Sequence, residues 1–254
     1  MNIWKQLDSA LVPGSQSTMS LHQRGEGKEY SIWVDGRQLM DNRAYGSEEA
    51  LADLVCDSMD DCSTARILIG GLGMGFTLGA ALRRVGPGAQ VIVAELVPAV
   101  VRWNRGPAGE ASGYPLADDR AEVFDGDVAD AFRDQRETWD AILLDVDNGP
   151  TGLTRSTNNW LYTWEGLEAA HRALRPKGIL GVWSAADDRG FTRRIARAEG
   201  PERIEPEWWR QPETGNNTTA LDADTRDYYR VEDEDGRRFW LYREGLYDLP
   251  TMPD

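Results

Sequence analysis

Four short apolar runs mark the middle of the chain, and each ends on glycine or on a carboxylate. Ile67 to Ile69 passes into Gly70, Gly71, Gly73 and Gly75. Val91 to Ala94 ends on Glu95, Val123 and Phe124 lead through Gly126 to Asp127, and Ala141 to Leu144 ends on Asp145. Runs of this length and continuity read as strands buried on both faces, the habit of a parallel sheet. Between and after them the spacing turns helical, which predicts helices over residues 77–85, 98–105, 128–133, 163–174 and 189–199, with a further strand over 178–184. Strands alternating with helices in this way predict an α/β domain with helices on both faces of the sheet.

The flanks read differently. Residues 17–43 alternate polar and apolar positions around two turn signals, Gly25-Glu26-Gly27 and Asp35-Gly36, predicting a meander of three short antiparallel strands. A helix then opens at Ser47, a good N-cap, with Glu48 and Glu49 in its first turn. Near the other end, residues 231–243 predict a hairpin turning at Asp235-Gly236, and the polar stretch 215–228 predicts a surface excursion. The division that follows is 1–45 for the meander, a lid or the contact of a homodimer, and 46–254 for the α/β domain.

The punctuation of the runs carries the candidate chemistry. Glycines after a buried strand let the backbone turn sharply and approach a ligand, and the helix that starts there presents free N–H groups. An acid at the end of the next strand, about 20 residues on, stands where a nucleotide-binding βαβ unit grips the ribose hydroxyls, and here that acid is Glu95. Ligands of open α/β sheets sit beyond the carboxyl ends of the strands, so Gly71, Glu95, Asp127 and Asp145 line one rim. Asp127 also suits the N-cap of the helix that starts at Val128. Asp145 follows four apolar residues, where a carboxylate is costly unless it serves a ligand or a helix cap.

With these residues in place, the stretch from Glu29 to Trp183 resembles the class I S-adenosylmethionine (AdoMet) transferases, and within them the spermidine synthase-like group. The points of likeness are the meander, the glycine turn, Glu95, the Gly126-Asp127 pair, and the segment from Leu144 through Asp145, Asp147, Asn148 and Gly149 to Pro150. The resemblance implies a Rossmann-like class I AdoMet-dependent methyltransferase fold, mostly parallel with an antiparallel last strand, preceded by a small N-terminal β meander. It implies a cofactor-binding set of Gly71, Gly73, Gly75, Glu95, Asp127 and Val128. In that set the glycines lie under the sulfonium arm, Glu95 takes the ribose diol and Asp127 meets the adenine amino group. Asp145 is then the catalytic residue beside the nucleophile, and Asp147, Asn148, Glu48 and Glu49 are candidate substrate contacts.

Three departures bear on which group is transferred. Gly73 stands where spermidine synthases carry an Asp that holds the amine of decarboxylated AdoMet. Gly46-Ser47-Glu48-Glu49-Ala50 replaces their Tyr-His-Glu segment, and Ser184-Ala185-Ala186-Asp187 lacks their tyrosine. On these grounds methyl transfer from intact AdoMet to a small amine-bearing acceptor is favoured. Aminopropyl transfer from decarboxylated AdoMet is the alternative, aminocarboxypropyl transfer a third reading, and a non-catalytic nucleoside sensor a fourth.

Composition trims the remaining options. The chain has 254 residues, 41% of them hydrophobic, enough for a full core without staples. A net charge of -15 disfavours nucleic acid and suits a cationic small-molecule acceptor, although the three lysines among 28 basic residues point to an Arg-rich compositional habit as well. Two cysteines, Cys56 and Cys62, make neither a disulfide framework nor a four-ligand metal site, so no metal is expected. His171, on an outer helix by pattern, reads as solvent-facing and His22 in the meander likewise as non-catalytic, and no Gly-x-Ser-x-Gly elbow supports a hydrolase. Trp33, Trp103, Trp139 and Trp183 read as core; Trp160, Trp164, Trp208 and Trp209 lie near loops, where core or rim packing is favoured and covering a ligand is the alternative. With no signal segment and no membrane-length apolar run, the expected location is the cytoplasm.

Overall fold

The computed structural model describes residues 3–25, 28–146, 158–184, 226–232 and 238–244. Two sheets organise them. The strands β1 (Trp4–Leu11), β2 (Thr18–Arg24), β3 (Glu29–Val34) and β4 (Arg37–Asp41) form an antiparallel sheet in chain order. β1 is a strand the sequence reading lacks. Its side chains are almost all solvent-facing, so it shows no apolar alternation, and it is held by pairing along β2. At the β3–β4 turn Asp35 and Gly36 both have positive φ, 49° and 76°, which matches the twist of a two-residue hairpin.

The larger sheet is built from β5 (Arg66–Gly70), β6 (Gln90–Glu95), β7 (Ala121–Asp125), β8 (Trp139–Leu144), β9 (Leu174–Val182), β10 (Arg226–Glu232) and β11 (Arg238–Glu244). Its order is β10-β11-β9-β8-β5-β6-β7. From β5 the chain steps outward to β6 and β7, then returns to the other side of β5 as β8, so the switch point lies between β5 and β8. The antiparallel strand is β10, at the edge. The last strand, β11, runs parallel to β9, where the resemblance placed an antiparallel one. In a hairpin only one strand can run with the sheet, and here it is the inner one.

Period-two alternation divides the core into two layers. Ile67, Ile69, Val91, Val93, Ala141 and Leu143 face one side, where they join α1 (Gly46–Ser58), α2 (Phe76–Arg84) and α3 (Pro98–Arg105). Leu68, Ile92, Ile142 and Leu144 face the other, against α5 (Val128–Phe132) and α6 (Trp164–Ala173). A short α4 (Gly109–Ser112) follows α3. The first layer continues into the antiparallel sheet through Val12, Leu21, Tyr30 and Ile32. Asp8 ties β1 to α3 by accepting from the Trp103 indole N–H at 2.8 Å.

Among the described residues the helix starts fall within one residue of those expected, and the capping of α1 is different. α1 begins at Gly46 with Tyr45 as N-cap residue and no side-chain cap, so Ser47 lies inside the helix and its hydroxyl donates to Glu48 Oε2 at 2.6 Å. Tyr45 instead stacks on Phe76 at 4.3 Å, fixing the start of α1 against the start of α2. The helix expected over 189–199 and most of the excursion at 215–228 lie outside the described residues; Arg226 to Tyr228 belong to β10.

Candidate active site

The glycine turn is shaped by contacts that leave no room for side chains. Gly71 has φ 89°, and a Cβ there would stand 2.3 Å from the Asp145 carbonyl oxygen, because the ends of β5 and β8 meet at that point. The Gly71 N–H donates to Ala94 O and the Asp145 N–H to Gly70 O, both at 2.9 Å, binding the three strand ends into one rim. Gly73, φ 51°, has its carbonyl held by Asn104 Nδ2 at 2.8 Å. Asn104 is fully buried on α3 and was not singled out in the sequence. An Asn on an apolar helix face, where a polar group needs partners, is the signal that points to it.

Glu95 is buried, and both carboxylate oxygens accept backbone hydrogen bonds: Oε2 from Leu72 N at 3.0 Å and Oε1 from Val97 N at 2.7 Å. The acid therefore clamps the glycine turn to the end of β6 and lines the cavity there. Asp127 caps α5, accepting from Ala129 N at 2.9 Å, and Val128 packs against Gly70, where an added Cβ would stand 2.9 Å from it.

Asp145 stands at the end of β8. Its Oδ2 accepts from the Thr77 hydroxyl of α2 at 2.6 Å. Burial, and then the Glu48 carboxylate of α1, push its carboxyl up to about 7, while the Thr77 hydroxyl pulls the other way. Glu48 is itself only 8% exposed, although it stands in the first turn of α1.

These residues surround one cavity of about 380 Å³. It is lined by Glu48, Gly71, Gly73, Glu95, Asp127, Val128 and Asp145 from the α/β domain, and by Val12, Met19, Ile32, Val34, Gln38, Met40 and Asp41 from the antiparallel sheet. Trp183, expected in the core, is half-buried on the cavity wall because it follows the end of β9 at the same rim. Among the described lining residues five are acids and none is Lys, Arg or His. One of the five, Asp41, is neutralised at once. Burial would raise its carboxyl, yet Arg43, through its side chain and N–H, and Gln38 hold it below the ordinary value.

Two of the sequence-selected residues fall elsewhere. Gly75 caps α2 with φ 80° and faces Asn104, Pro115 and Ser112, away from the cavity, so its task is to start the helix. Glu49 points to the outer side of α1 and pairs with Arg83 of α2 at 2.6 Å, one helical position being enough to turn it away from Glu48. Asp147 and Asn148 lie outside the described residues, as do Trp208 and Trp209. Trp160 packs on Phe132 and under Arg133, and Trp164 is exposed; neither lines the cavity. The space that Gly73 leaves is not open either: a Cβ there would meet the end of Met40 at 3.0 Å.

A glycine turn at the switch point, acids on three successive strand ends and an antiparallel sheet across the opening give the chain a spermidine synthase-like fold. Solved structures carry that likeness. The chain is similar to a spermidine synthase crystallised with the transition-state analogue AdoDATO, with a TM-score of 0.60 and 21% identity over 76% of this chain and 63% of that one. It is similar also to the spermidine synthase of Thermotoga maritima, with a TM-score of 0.59 and 20% identity over the same shares. The chain thus spans a little under two thirds of the length of these enzymes. No family model matches. Among curated proteins, 87 residues are 44% identical to Protein ImuB from two strains of Caulobacter vibrioides, which is 31% of this chain but 19% of ImuB, so the chain spans about a fifth of that relative. No helix among the described residues is long and apolar enough to cross a membrane.

Proposed function

We propose that the protein transfers an alkyl group from an AdoMet-type sulfonium to a small amine. The observation that carries this reading is the cavity itself, whose described lining holds five carboxylates and no basic side chain at the switch point of the sheet. Such a lining favours cationic ligands, and a sulfonium donor and an ammonium acceptor are both cations. The chain's residues fit a nucleoside donor: Gly71 and Gly73 bring bare backbone to the cavity, Glu95 lines it at the end of β6, and Asp127 stands at the next strand end.

The sulfonium supplies a good leaving group, so the protein's work is alignment and proton handling. Asp145, with a carboxyl poised near neutrality, takes a proton from the acceptor ammonium. The freed nitrogen lone pair attacks the carbon bonded to sulfur; the N–C bond forms as the C–S bond breaks, and the positive charge passes from sulfur to nitrogen.

For the group transferred, the fold neighbours support aminopropyl transfer from decarboxylated AdoMet, the donor class to which the AdoDATO complex points. Methyl transfer from intact AdoMet is the second reading, and the observation favouring it is Gly73, which offers no carboxylate to a donor amine. The end of the Met40 side chain packs against Gly73, 3.0 Å from where a Cβ would stand. Incubation with either donor and a panel of amines, followed by mass spectrometry, decides: methylthioadenosine from decarboxylated AdoMet marks aminopropyl transfer, methylthioadenosine from intact AdoMet marks aminocarboxypropyl transfer, and S-adenosylhomocysteine marks methyl transfer. Tight nucleoside binding with neither product would leave the sensor reading and sink the enzymatic one.

A further inference from the structure

The Asp145 carboxylate is held on one side only. Oδ2 takes the Thr77 hydroxyl at 2.6 Å, and Oδ1 has no hydrogen-bond partner among the described residues. Thr77 is 3% exposed and sits in the first turn of α2, one residue after Phe76. Phe76 in turn stacks on Tyr45, the residue before α1, and Arg83 of α2 pairs with Glu49 of α1. The two helices are therefore locked together at the point where one presents Thr77 and the other Glu48 to the same carboxylate. A buried threonine at a helix start commonly turns its hydroxyl to a local backbone carbonyl. Here it crosses to another element instead.

Building on the transferase reading, we infer that Thr77 is a positioning residue: its hydroxyl fixes the rotation of the Asp145 carboxylate, so that Oδ2 is committed and Oδ1 is the oxygen left to receive the acceptor's proton. The contact has a second consequence. Donation to the charged form favours that form, so Thr77 opposes burial and Glu48 and keeps Asp145 ionisable near neutrality. The other charged groups of the cavity are already committed: Glu95 to two backbone N–H groups, Asp127 to the start of α5, and Asp41 to Arg43. Glu48 is the carboxylate that acts on Asp145 across the gap between α1 and β8.

The test is Thr77→Val, which keeps the shape and loses the hydroxyl, beside Thr77→Ser, which keeps the hydroxyl. The Asp145 titration is followed by 13C carboxyl NMR on aspartate-labelled full-length protein, the resonance being identified by its loss in Asp145→Asn. In Thr77→Val the midpoint is expected to rise by on the order of one pH unit, and in Thr77→Ser to stay near that of the parent. Turnover in Thr77→Val at pH 7 is expected to fall by about fivefold, the loss of ionised carboxylate such a shift causes, with the deficit recovered at higher pH and with KM for the donor unchanged. An unmoved midpoint in folded Thr77→Val overturns the inference, whatever the turnover. A moved midpoint in a protein that consumes neither donor retires the transferase reading and keeps Thr77 as the group that holds Asp145.

Discussion

Asp145 concentrates the physics of the site in one side chain. A carboxyl raised from 3.8 to about 7 binds its proton more tightly in the folded protein than in the unfolded chain. The folded state therefore holds more protons across that window, and stability falls as pH rises from about 4 to 7, then levels off. The cost accumulated is on the order of 1–4 kcal/mol, the free energy of ionising a half-buried acid beside another acid. Asp145→Asn cannot ionise and is expected to lose this slope: its melting temperature relative to the parent should climb between pH 4 and 7. Parallel melts of the two proteins across that range check it, and parallel curves would mean that Asp145 ionises in the folded state as freely as in water. Turnover should fall by about 10²-fold or more in the same variant, the usual cost of removing a positioned acid–base group.

Elements explain why the site forms where it does, and how much of it was legible beforehand. The strands β5, β6 and β8 were legible because burial on both faces leaves an unbroken apolar run, and the residues that close those runs, Gly71, Glu95 and Asp145, are those the structure brings to one rim. β1 was illegible because an edge strand in solvent needs no apolar pattern, and Thr77 and Asn104 because their roles depend on partners 68 and 31 residues distant in sequence. Glu48 and Glu49 show the limit of helix-start rules: both suit a first turn electrostatically, yet only the fold decides that one faces a cavity and the other Arg83. At the turn itself, Gly71→Ala is expected to cost well over 1 kcal/mol. Its φ of 89° is strained for any side chain, and the new methyl would collide with the Asp145 carbonyl, a backbone atom that cannot step aside. Denaturant melts and calorimetric titration with methylthioadenosine check it, stability and affinity falling together. A variant as stable as the parent would show that β5 and β8 can part without loss.

At the scale of the whole molecule, the question is whether the antiparallel sheet is an appendage or part of the domain. The chain divides in pattern at 45/46, from strand alternation to helix, which is why 1–45 reads as a separate unit. Packing runs across that division. Val12, Leu21, Tyr30 and Ile32 are each no more than 6% exposed and belong to one continuous cluster with Leu51, Val55, Val97 and Trp103. Each such side chain contributes about 1.5–3 kcal/mol by its burial, so together they approach the net stability of about 5–15 kcal/mol typical of a folded domain. The same sheet supplies Met19, Val34, Gln38 and Met40 to the cavity, so the cavity is enclosed only when both sheets are present. A chain beginning at residue 46 is therefore expected to expose apolar surface, bind the dye ANS, melt without a sharp transition and show no measurable affinity for methylthioadenosine. If it instead melts cooperatively and binds the nucleoside within about tenfold of the parent, the antiparallel sheet is a lid laid over a self-sufficient domain, and the acids of the α/β rim alone define the ligand.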